Sequence, residues 1–397
     1  MESDRAQALS AGTKIEAADE TRLVVVLVAL LLLGNVDAQV VSPLLPEIAR
    51  GLGTSDAWVG RTVSGYAIAA AVAALLLGPL SDAIGRRRFL VGAAIVLGLG
   101  SAISASTASF AGFALSRVVT GTGAGVTSAL VVASIADVVP YQRRGRSMSW
   151  VATAYFAAPI LGVPIASWVG ESFGWRANYA AFAVLGMVLA LAVHGWMRES
   201  EPRGAGERRS RSYRSFLSSR ATAVGAISAF FVTGSLTGFL LFLGSYLERA
   251  YGLTLTQRGL VFLLAGIASL VGAFVAGRLS DRLGKIRLAL VGSLALAGFL
   301  LMVPNVTGAF FYIALALVGL SAAARVAPLQ SVVTELVPAD SRGAYVALRN
   351  TLSQCGSAVA AILAAALYER GFAYVCYLTA GFSLAAFLLL LFIEEPR

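Results

Sequence analysis

Long apolar runs separated by short polar segments dominate this chain. A membrane-spanning helix needs about 20 predominantly apolar residues, and twelve runs reach or approach that length. They lie approximately at 23–45, 57–79, 88–107, 109–138, 146–169, 175–197, 221–247, 258–278, 287–304, 308–337, 343–368 and 371–393. The pattern therefore predicts twelve membrane helices. The fourth and tenth runs are the longest, so we expect those two helices to be tilted or to extend beyond the bilayer.

Two charged motifs each occur twice in the chain, and the distance between the two copies is nearly the same for both motifs. GPLSDAIGRRR at residues 78–88 follows the second run, and GRLSDRLGKIR at residues 277–287 follows the eighth. Their aspartates are 199 positions apart. DVVP at 137–140 and ELVP at 335–338 end the fourth and tenth runs, 198 positions apart. Chance agreement at two separate places is implausible, so the sequence predicts two parallel repeats of six helices each.

The repeats suggest where the chain divides. We expect an N-terminal tail at 1–22, a first six-helix unit at 23–197, a linker at 198–220, a second six-helix unit at 221–393 and a short C-terminus at 394–397. The linker is polar, contains seven arginines and carries Pro202, Gly204 and Gly206. We interpret it as a flexible connector.

Composition supports an integral membrane protein. Apolar residues make up 58% of the chain and charged residues only 13%, whereas a soluble domain is nearer half and a quarter. The net charge of +10 could indicate nucleic-acid binding, but the basic residues lie in short loops between apolar runs and no soluble basic domain is evident. That distribution is typical of loops on the cytoplasmic side of an inner membrane, against its anionic leaflet. With an even number of spans, both termini are expected there.

The repeated segment at 78–88 resembles the loop between spans two and three of the major facilitator superfamily. Ala83 departs from the usual arginine, whereas the second copy keeps Arg282. The resemblance implies an all-α membrane fold, with two pseudo-symmetric six-helix bundles around a central cavity. It also implies a cytoplasmic gate formed by Gly78, Asp82, Gly85, Arg86 and Arg87 together with Gly277, Asp281, Arg282 and Gly284. The alternative is that these segments only anchor the topology.

The segment RVVTGTGAG at 117–125 resembles a motif of proton-coupled drug efflux members. An arginine inside a membrane span is costly and by default functional, and in that family it is tied to proton coupling. Gly121 and Gly125 share one helix face, where they would let a neighbouring helix approach closely. The alternative is that Arg117 is a structural arginine near the outer end of the span.

The fifth run is similar to the antiporter motif of the same efflux members. The residues that carry the similarity are Pro159, Gly162 and Pro164, whereas Ala158 stands where a glycine is usual. This pattern is the variant found in drug and sugar efflux relatives. The resemblance therefore implies efflux.

Polar residues in the first run fall on two faces. Asn35, Gln39 and Ser42 share one face at spacings of four and three, and Asp37 points about 160° away from its centre. We predict that the first face contacts substrate. Asp37 has two interpretations. It is either a proton-binding or inter-helix residue that couples protonation to conformation together with Arg117, or a satisfied structural carboxylate.

Three further residues are candidates for substrate contact. Arg325 lies inside the tenth run, where it could bind an anionic or carbonyl-bearing substrate, pair with a buried carboxylate, or serve the structure alone. Tyr155 and Tyr246 suit an amphipathic substrate, and packing against lipid or core is the alternative for each.

Together these features predict a secondary active transporter that exports a small amphipathic, drug-like molecule by proton antiport and alternating access. Export of a sugar, a nucleoside or another metabolite, and inward proton symport, remain alternatives, and a non-transporting membrane sensor is a remote one. The sequence contains no Walker loop, no histidine-supported nucleophile and no metal-ligand spacing. We therefore expect no enzyme, cofactor or metal, and we expect a monomer whose partners are substrate, protons and lipid, not nucleic acid.

Overall fold

The computed structural model describes residues 17–140, 143–198, 216, 219–338 and 341–393. Twelve helices in this part of the chain are long and apolar enough to cross a membrane, which confirms the predicted number. They are α1 Ala17–Gly51, α2 Asp56–Ile84, α3 Arg86–Ser106, α4 Phe110–Val138, α5 Arg144–Phe173, α6 Trp175–Trp196, α7 Arg220–Tyr251, α8 Leu255–Leu283, α9 Lys285–Met302, α10 Ala309–Glu335, α11 Arg342–Tyr368 and α12 Phe372–Leu390. Residues 1–16, most of the 198–220 linker and residues 394–397 lie outside the described residues.

Helices α1–α6 form the first half of the molecule and α7–α12 the second, as expected for two six-helix bundles. Large apolar side chains such as Phe173, Leu191 and Phe310 project outward and are at least 70% exposed. A surface of this kind is stable only against lipid. We call the end of the bundle that carries the loops after α2, α4, α8 and α10 the arginine-rich end, and the opposite end the far end.

A single glycine makes each turn at the repeated segments. Gly85 joins α2 to α3 with φ of +116°, and Gly284 joins α8 to α9 with φ of +93°. Side chains other than glycine rarely adopt this backbone region. The amides of the two glycines donate to the carbonyl oxygens of Ser81 and Ser280, at 2.9 and 3.0 Å, and so close the preceding helices.

The prediction that α4 and α10 are the longest helices is wrong. Helix α1 has 35 residues and α7 has 32, against 29 for α4 and 27 for α10. The sequence prediction ended the first helix at residue 45, directly before Pro46. In the structure α1 continues through Pro43 and Pro46 to Gly51, which is tolerated where neighbouring helices satisfy the freed carbonyl groups.

Helix α5 is interrupted by a π-helical segment at Ala158–Gly162. This segment contains Pro159 and precedes Pro164, so the local widening of the helix coincides with the missing backbone donors. Gly162 lies directly against the Val36 side chain of α1. The sequence marked this stretch as special, but it did not predict the change of helix type.

Close packing around α4 confirms the role predicted for its glycines. A Cβ atom added at Gly121 would lie 2.8 Å from the Tyr66 Cα atom, and one added at Gly125 would lie 2.6 Å from the Ala70 Cα atom. Both contacts are with the α2 backbone. Gly123 faces the α3 backbone instead, at Ala93 and Leu97. Glycine thus lets α4 pack closely on two helices at once.

Candidate functional site

A cavity of about 380 Å³ lies between the two halves, within the range typical of small-molecule sites. Helices from both halves form its wall, namely α1, α2, α4 and α5 from the first and α7, α8, α10 and α11 from the second. The polar groups on the wall include Asn35, Gln39, Thr127, Ser128, Thr237 and Gln354. Leucine, valine and alanine side chains complete it, so the cavity suits an amphipathic guest.

The three residues predicted to share one face of α1 all line this cavity. Asn35 and Gln39 present amides to it, and the Nδ2 atom of Asn35 is buried with no hydrogen-bond partner among the described residues. The Ser42 hydroxyl donates to the carbonyl oxygen of Leu240 in α7 and so joins the two halves. Asp37 points away from the cavity, as the helix geometry predicted.

Asp37 forms a bidentate ion pair with Arg117 of α4. Nη1 and Nη2 of the arginine donate to Oδ1 and Oδ2 of the carboxylate, at 3.0 and 2.5 Å. The side chains are 0% and 1% exposed. Breaking such a buried pair leaves an uncompensated charge and typically costs about 3–5 kcal/mol. The sequence named both residues as candidates for proton coupling, and the structure brings them together.

Two tyrosines complete the surroundings of the ion pair. The Arg117 guanidinium carbon lies 5.0 Å from the ring centre of Tyr66 and 5.7 Å from that of Tyr179. Tyr66 also lines the cavity and donates from its hydroxyl to the carbonyl oxygen of Gly34, at 3.3 Å. Arg117 and Tyr66 both reach the cavity wall, so a guest in the cavity would lie directly beside the ion pair. Sequence spacing could not reveal this arrangement, because the two tyrosines come from α2 and α6.

The structure corrects the assignment of three residues predicted to contact substrate, because none of them lies on the cavity wall. Tyr155 is 47% exposed on α5, and Tyr246 stacks on Phe372 with ring centres 4.2 Å apart. Arg325 is fully buried within the second half. It donates to the Val232 carbonyl oxygen, at 2.8 Å, and to the Ser235 and Ser383 hydroxyl groups, at 2.5 and 3.3 Å, so it bridges α10 to α7 and α12.

At the arginine-rich end, the two repeated motifs contact each other within each half. Arg86 forms a buried ion pair with Asp137, and Lys285 pairs with Glu335 at 3.2 Å. These pairs join the start of α3 to the end of α4, and the start of α9 to the end of α10. Arg87 donates to the carbonyl oxygen of His194 in α6. The repeat inferred from sequence therefore corresponds to a repeated contact.

The other predicted gate residues are placed differently. Gly78 and Gly277 lie inside α2 and α8, where an added Cβ would meet no atom within 4 Å. Asp281 and Arg282 are exposed at the end of α8. The side chain of Asp82 lies outside the described residues.

Ion pairs that the sequence did not predict connect the halves at the far end. Arg258 of α8 is 2% exposed. It donates to the Pro43 carbonyl oxygen of α1 at 2.8 Å, and it forms an ion pair with Glu47 of the same helix. Arg50 pairs with Glu248 at 2.6 Å. The cavity is therefore covered at the far end. We call these contacts, together with those of Arg249 with Asp56 and of Glu171 with Thr256, the far-end contacts.

Two more contacts complete the far-end contacts. Arg249 pairs with Asp56 at 2.9 Å, and the Glu171 carboxylate accepts from the Thr256 amide at 2.5 Å, at the start of α8. A carboxylate at a helix N-terminus is favourable, because the first amide groups lack partners within the helix. Each contact joins the first half to the second, although the residues are far apart in sequence.

The cavity continues toward the arginine-rich end. A neighbouring recess of about 280 Å³ shares Leu236, Thr237 and Leu240 with its wall. Arg349 and Gln330 lie farther along this recess. The continuous space and the far-end contacts together indicate a cavity that opens at the arginine-rich end.

Comparison with known proteins identifies the family. The family model for the Major Facilitator Superfamily matches residues 27–307 and 225–397. The chain belongs to the major facilitator superfamily. As a member of that superfamily it is a transporter-type membrane protein, and the resemblance seen in its sequence motifs is confirmed.

Several relatives of this superfamily member are named transporters. It is 27% identical over 337 residues to YceJ, an uncharacterised MFS-type transporter of Bacillus subtilis (strain 168), covering 84% of this chain and 86% of that one. It is 26% identical over 358 residues to the inner membrane transport protein YdhP of Escherichia coli (strain K12), covering 89% and 90%. A chloramphenicol resistance protein of Streptomyces lividans is 28% identical over 258 residues, covering 64% and 66%.

Solved structures support the fold of this superfamily member. A D-xylose–proton symporter superposes with a TM-score of 0.76 at 18% identity, covering 94% of this chain and 98% of that one. A bacterial homologue of the human lysosomal transporter Spinster, described as inward-facing and unoccupied, superposes with a TM-score of 0.78 at 16% identity, covering 95% and 98%. At these identities the likeness concerns the fold alone.

Proposed function

We propose that this protein exports a small amphipathic molecule from the cytoplasm in exchange for protons. The observation that carries the proposal is the buried Asp37–Arg117 ion pair beside the cavity. Tyr66 lies against the Arg117 guanidinium group and also lines the cavity. A carboxylate inside the membrane that can gain or lose a proton is a natural site of proton coupling. The similarity to a chloramphenicol resistance protein favours a drug-like substrate.

Within this proposal, the distribution of basic residues determines which end of the molecule faces the cytoplasm. Loops rich in arginine stay on the cytoplasmic side of an inner membrane, which also places both termini there. In this orientation the cavity opens toward the cytoplasm, which supports an inward-open state. To release substrate outside, the protein must separate the halves at the far-end contacts and bring them together at the arginine-rich end. The two repeated segments, including Asp82 and Asp281, then form the cytoplasmic gate.

Protonation couples to this movement through the ion pair. When Asp37 is ionised, its two oxygen atoms hold both terminal nitrogen atoms of Arg117. A proton on Asp37 removes the negative charge and leaves a cation in a site of low polarity, which is unfavourable. The state in which Arg117 can find other partners, or water, then becomes more populated. Antiport requires in addition that substrate favours the state that protonation of Asp37 disfavours.

The proposal can be tested in proteoliposomes that contain the purified full-length protein. Radiolabelled chloramphenicol serves as the probe, and a pH gradient is imposed across the membrane. We expect drug and protons to cross the membrane in opposite directions. Addition of drug on one side should therefore change the pH inside the vesicles. Asp37→Asn should abolish the response to the gradient, whereas Glu369→Gln, a control at an exposed carboxylate, should not.

Three outcomes would contradict the proposal. Drug flux that ignores the pH gradient would exclude proton coupling. Movement of drug and protons in the same direction would indicate symport, the reaction named for the structurally similar D-xylose–proton symporter. Flux of sugars or nucleosides in place of chloramphenicol would indicate metabolite export.

A further inference from the structure

The cavity wall carries little free charge, although the protein has a net charge of +10. Among the described residues on the wall, Arg117 is the one charged side chain, and both oxygen atoms of Asp37 hold it. It is 1% exposed. The other polar groups on the wall are amides and hydroxyls, including Gln39, Gln354 and Thr237. The wall therefore presents dipoles to a guest and no net charge.

The neighbouring recess also lacks a free carboxylate among its described residues. Arg349 is its charged member, 8% exposed, and its Nε atom donates to the carbonyl oxygen of Gly225 at 3.3 Å. A cation that moves from the arginine-rich end to the cavity would thus pass a positive charge and meet no counter-charge. Transfer of an unpaired ion from water into such a space is strongly unfavourable.

Two donors on the wall, the Nδ2 atom of Asn35 and the Nε atom of Arg117, lack a partner among the described residues and indicate that a guest must offer an acceptor. The Nδ2 atom of Asn35 is buried and bonded to no described acceptor, although Asn35 faces the cavity. An amide donor that is buried without a partner is unfavourable, and rotation of the Asn35 side chain toward the cavity would let an oxygen atom of a guest satisfy it. Carbonyl and nitro oxygen atoms are neutral acceptors of the appropriate kind.

We propose that the cavity selects uncharged amphipathic molecules that present a carbonyl or nitro oxygen to Asn35, and that it excludes organic cations and carboxylates. This inference rests on the proposed function, since it takes the cavity as the site of the transported molecule. It goes further, because it names the charge state of the substrate and the group that recognises it. Cations are excluded because the wall holds no carboxylate among its described residues, and carboxylates are excluded because the one cation on the wall, Arg117, is already paired with Asp37. Affinity follows from apolar contact and hydrogen bonds to the amides.

Binding to the purified full-length protein in detergent tests this selection directly. The probes are chloramphenicol, which is neutral and carries amide and nitro oxygen atoms, its anionic succinate monoester, and ethidium, a permanent cation. We expect chloramphenicol to bind at least roughly tenfold more tightly than the other two, a difference of about 1.4 kcal/mol. Asn35→Leu should weaken chloramphenicol binding about 3- to 10-fold, the usual effect of one lost hydrogen bond.

A second set of variants changes the charge of the wall without changing its shape. Gln39→Glu and Gln354→Glu each place a carboxylate on it, and each should gain ethidium binding of at least roughly tenfold over the wild type. Asn305→Asp is the matched control, since it makes the same chemical change at an exposed site in the far-end loop after α9. It should leave the affinity for all three probes unchanged.

Several results would overturn the inference. Equal binding of ethidium and chloramphenicol to the wild type would contradict the selection, and so would a failure of the wild type to bind chloramphenicol at all. The third such result is that neither glutamate variant gains ethidium binding although both remain monodisperse. A different result would contradict the proposed function. Flux that ignores the pH gradient would exclude proton-driven export, while the selection among the three probes would stand.

Discussion

Arg117 and Asp37 lie 80 positions apart in the sequence and hold each other through two hydrogen bonds, of 3.0 and 2.5 Å, inside the first half of the molecule. The pair joins α4 to α1 directly beside the cavity wall. It therefore connects three properties of the protein: the packing of the first half, the polarity of the cavity and the proposed coupling to protons.

A first prediction separates the structural role of this pair from its role in coupling. Asp37→Leu should destabilise the protein by about 3–5 kcal/mol, because Arg117 is then buried without a counter-charge. The double variant Asp37→Leu with Arg117→Met should recover most of that stability, since apolar side chains of similar volume replace the pair. Thermal unfolding in detergent measures the stability, and transport in proteoliposomes measures the coupling. Proton-driven transport by the recovered double variant would contradict a coupling role.

A second prediction concerns the far-end contacts. Arg258→Met removes the hydrogen bond to Pro43 and the ion pair with Glu47, so it should shift the protein toward states in which the halves separate at the far end. Spin labels at Ala108 and Glu369, in exposed far-end positions of the two halves, report this separation by double electron–electron resonance, in a background with Cys355→Ser and Cys376→Ala.

The control for this measurement is Arg370→Met, which removes an exposed arginine near the same end. The control should leave the distance distribution unchanged. If Arg258→Met also left it unchanged, the ion pair would contribute nothing to closure of the far end. A shift of about 1.4 kcal/mol would change the ratio of the two states tenfold.

A third prediction compares the equivalent ion pairs of the two halves. The Arg86 and Asp137 side chains are 6% and 17% exposed, whereas those of Lys285 and Glu335 are 30% and 43% exposed. Loss of a buried pair costs more than loss of one in water. Asp137→Asn should therefore destabilise the protein by about 3 kcal/mol or more, and Glu335→Gln by about 1 kcal/mol or less. Equal shifts in thermal unfolding would show that burial does not distinguish the two pairs.

A fourth prediction tests the close approach of α4 and α2. Gly125→Ala would place a Cβ atom 2.6 Å from the Ala70 Cα atom, so the helices must move apart, at a cost of about 1–3 kcal/mol. Gly92→Ala in α3 is the matched control, because its added methyl group meets no atom within 4 Å. Thermal unfolding compares the two. A loss of stability at both sites alike would indicate a general effect of the substitution.

The sequence determined the number of membrane helices and their repeat in two halves. Apolar runs of fixed minimum length are the only way for helices to cross a bilayer, so length and composition suffice for this purpose. The sequence also determined which face of α1 carries Asn35, Gln39 and Ser42, because side-chain direction within one helix follows from its period. The repeated motifs further identified the family.

Only the tertiary structure decided which of these residues are in contact with one another. Asp37 and Arg117 lie on different helices, and so do Arg258 and Glu47, hence no local pattern could pair them. Arg325 and Arg117 look alike in sequence, as single arginines within apolar runs. The structure separates them, since Arg117 meets a carboxylate beside the cavity, and Arg325 meets hydroxyl and carbonyl groups away from it. The physical reason is that helix packing, which depends on the whole set of interlocking side chains, decides what a buried charge contacts.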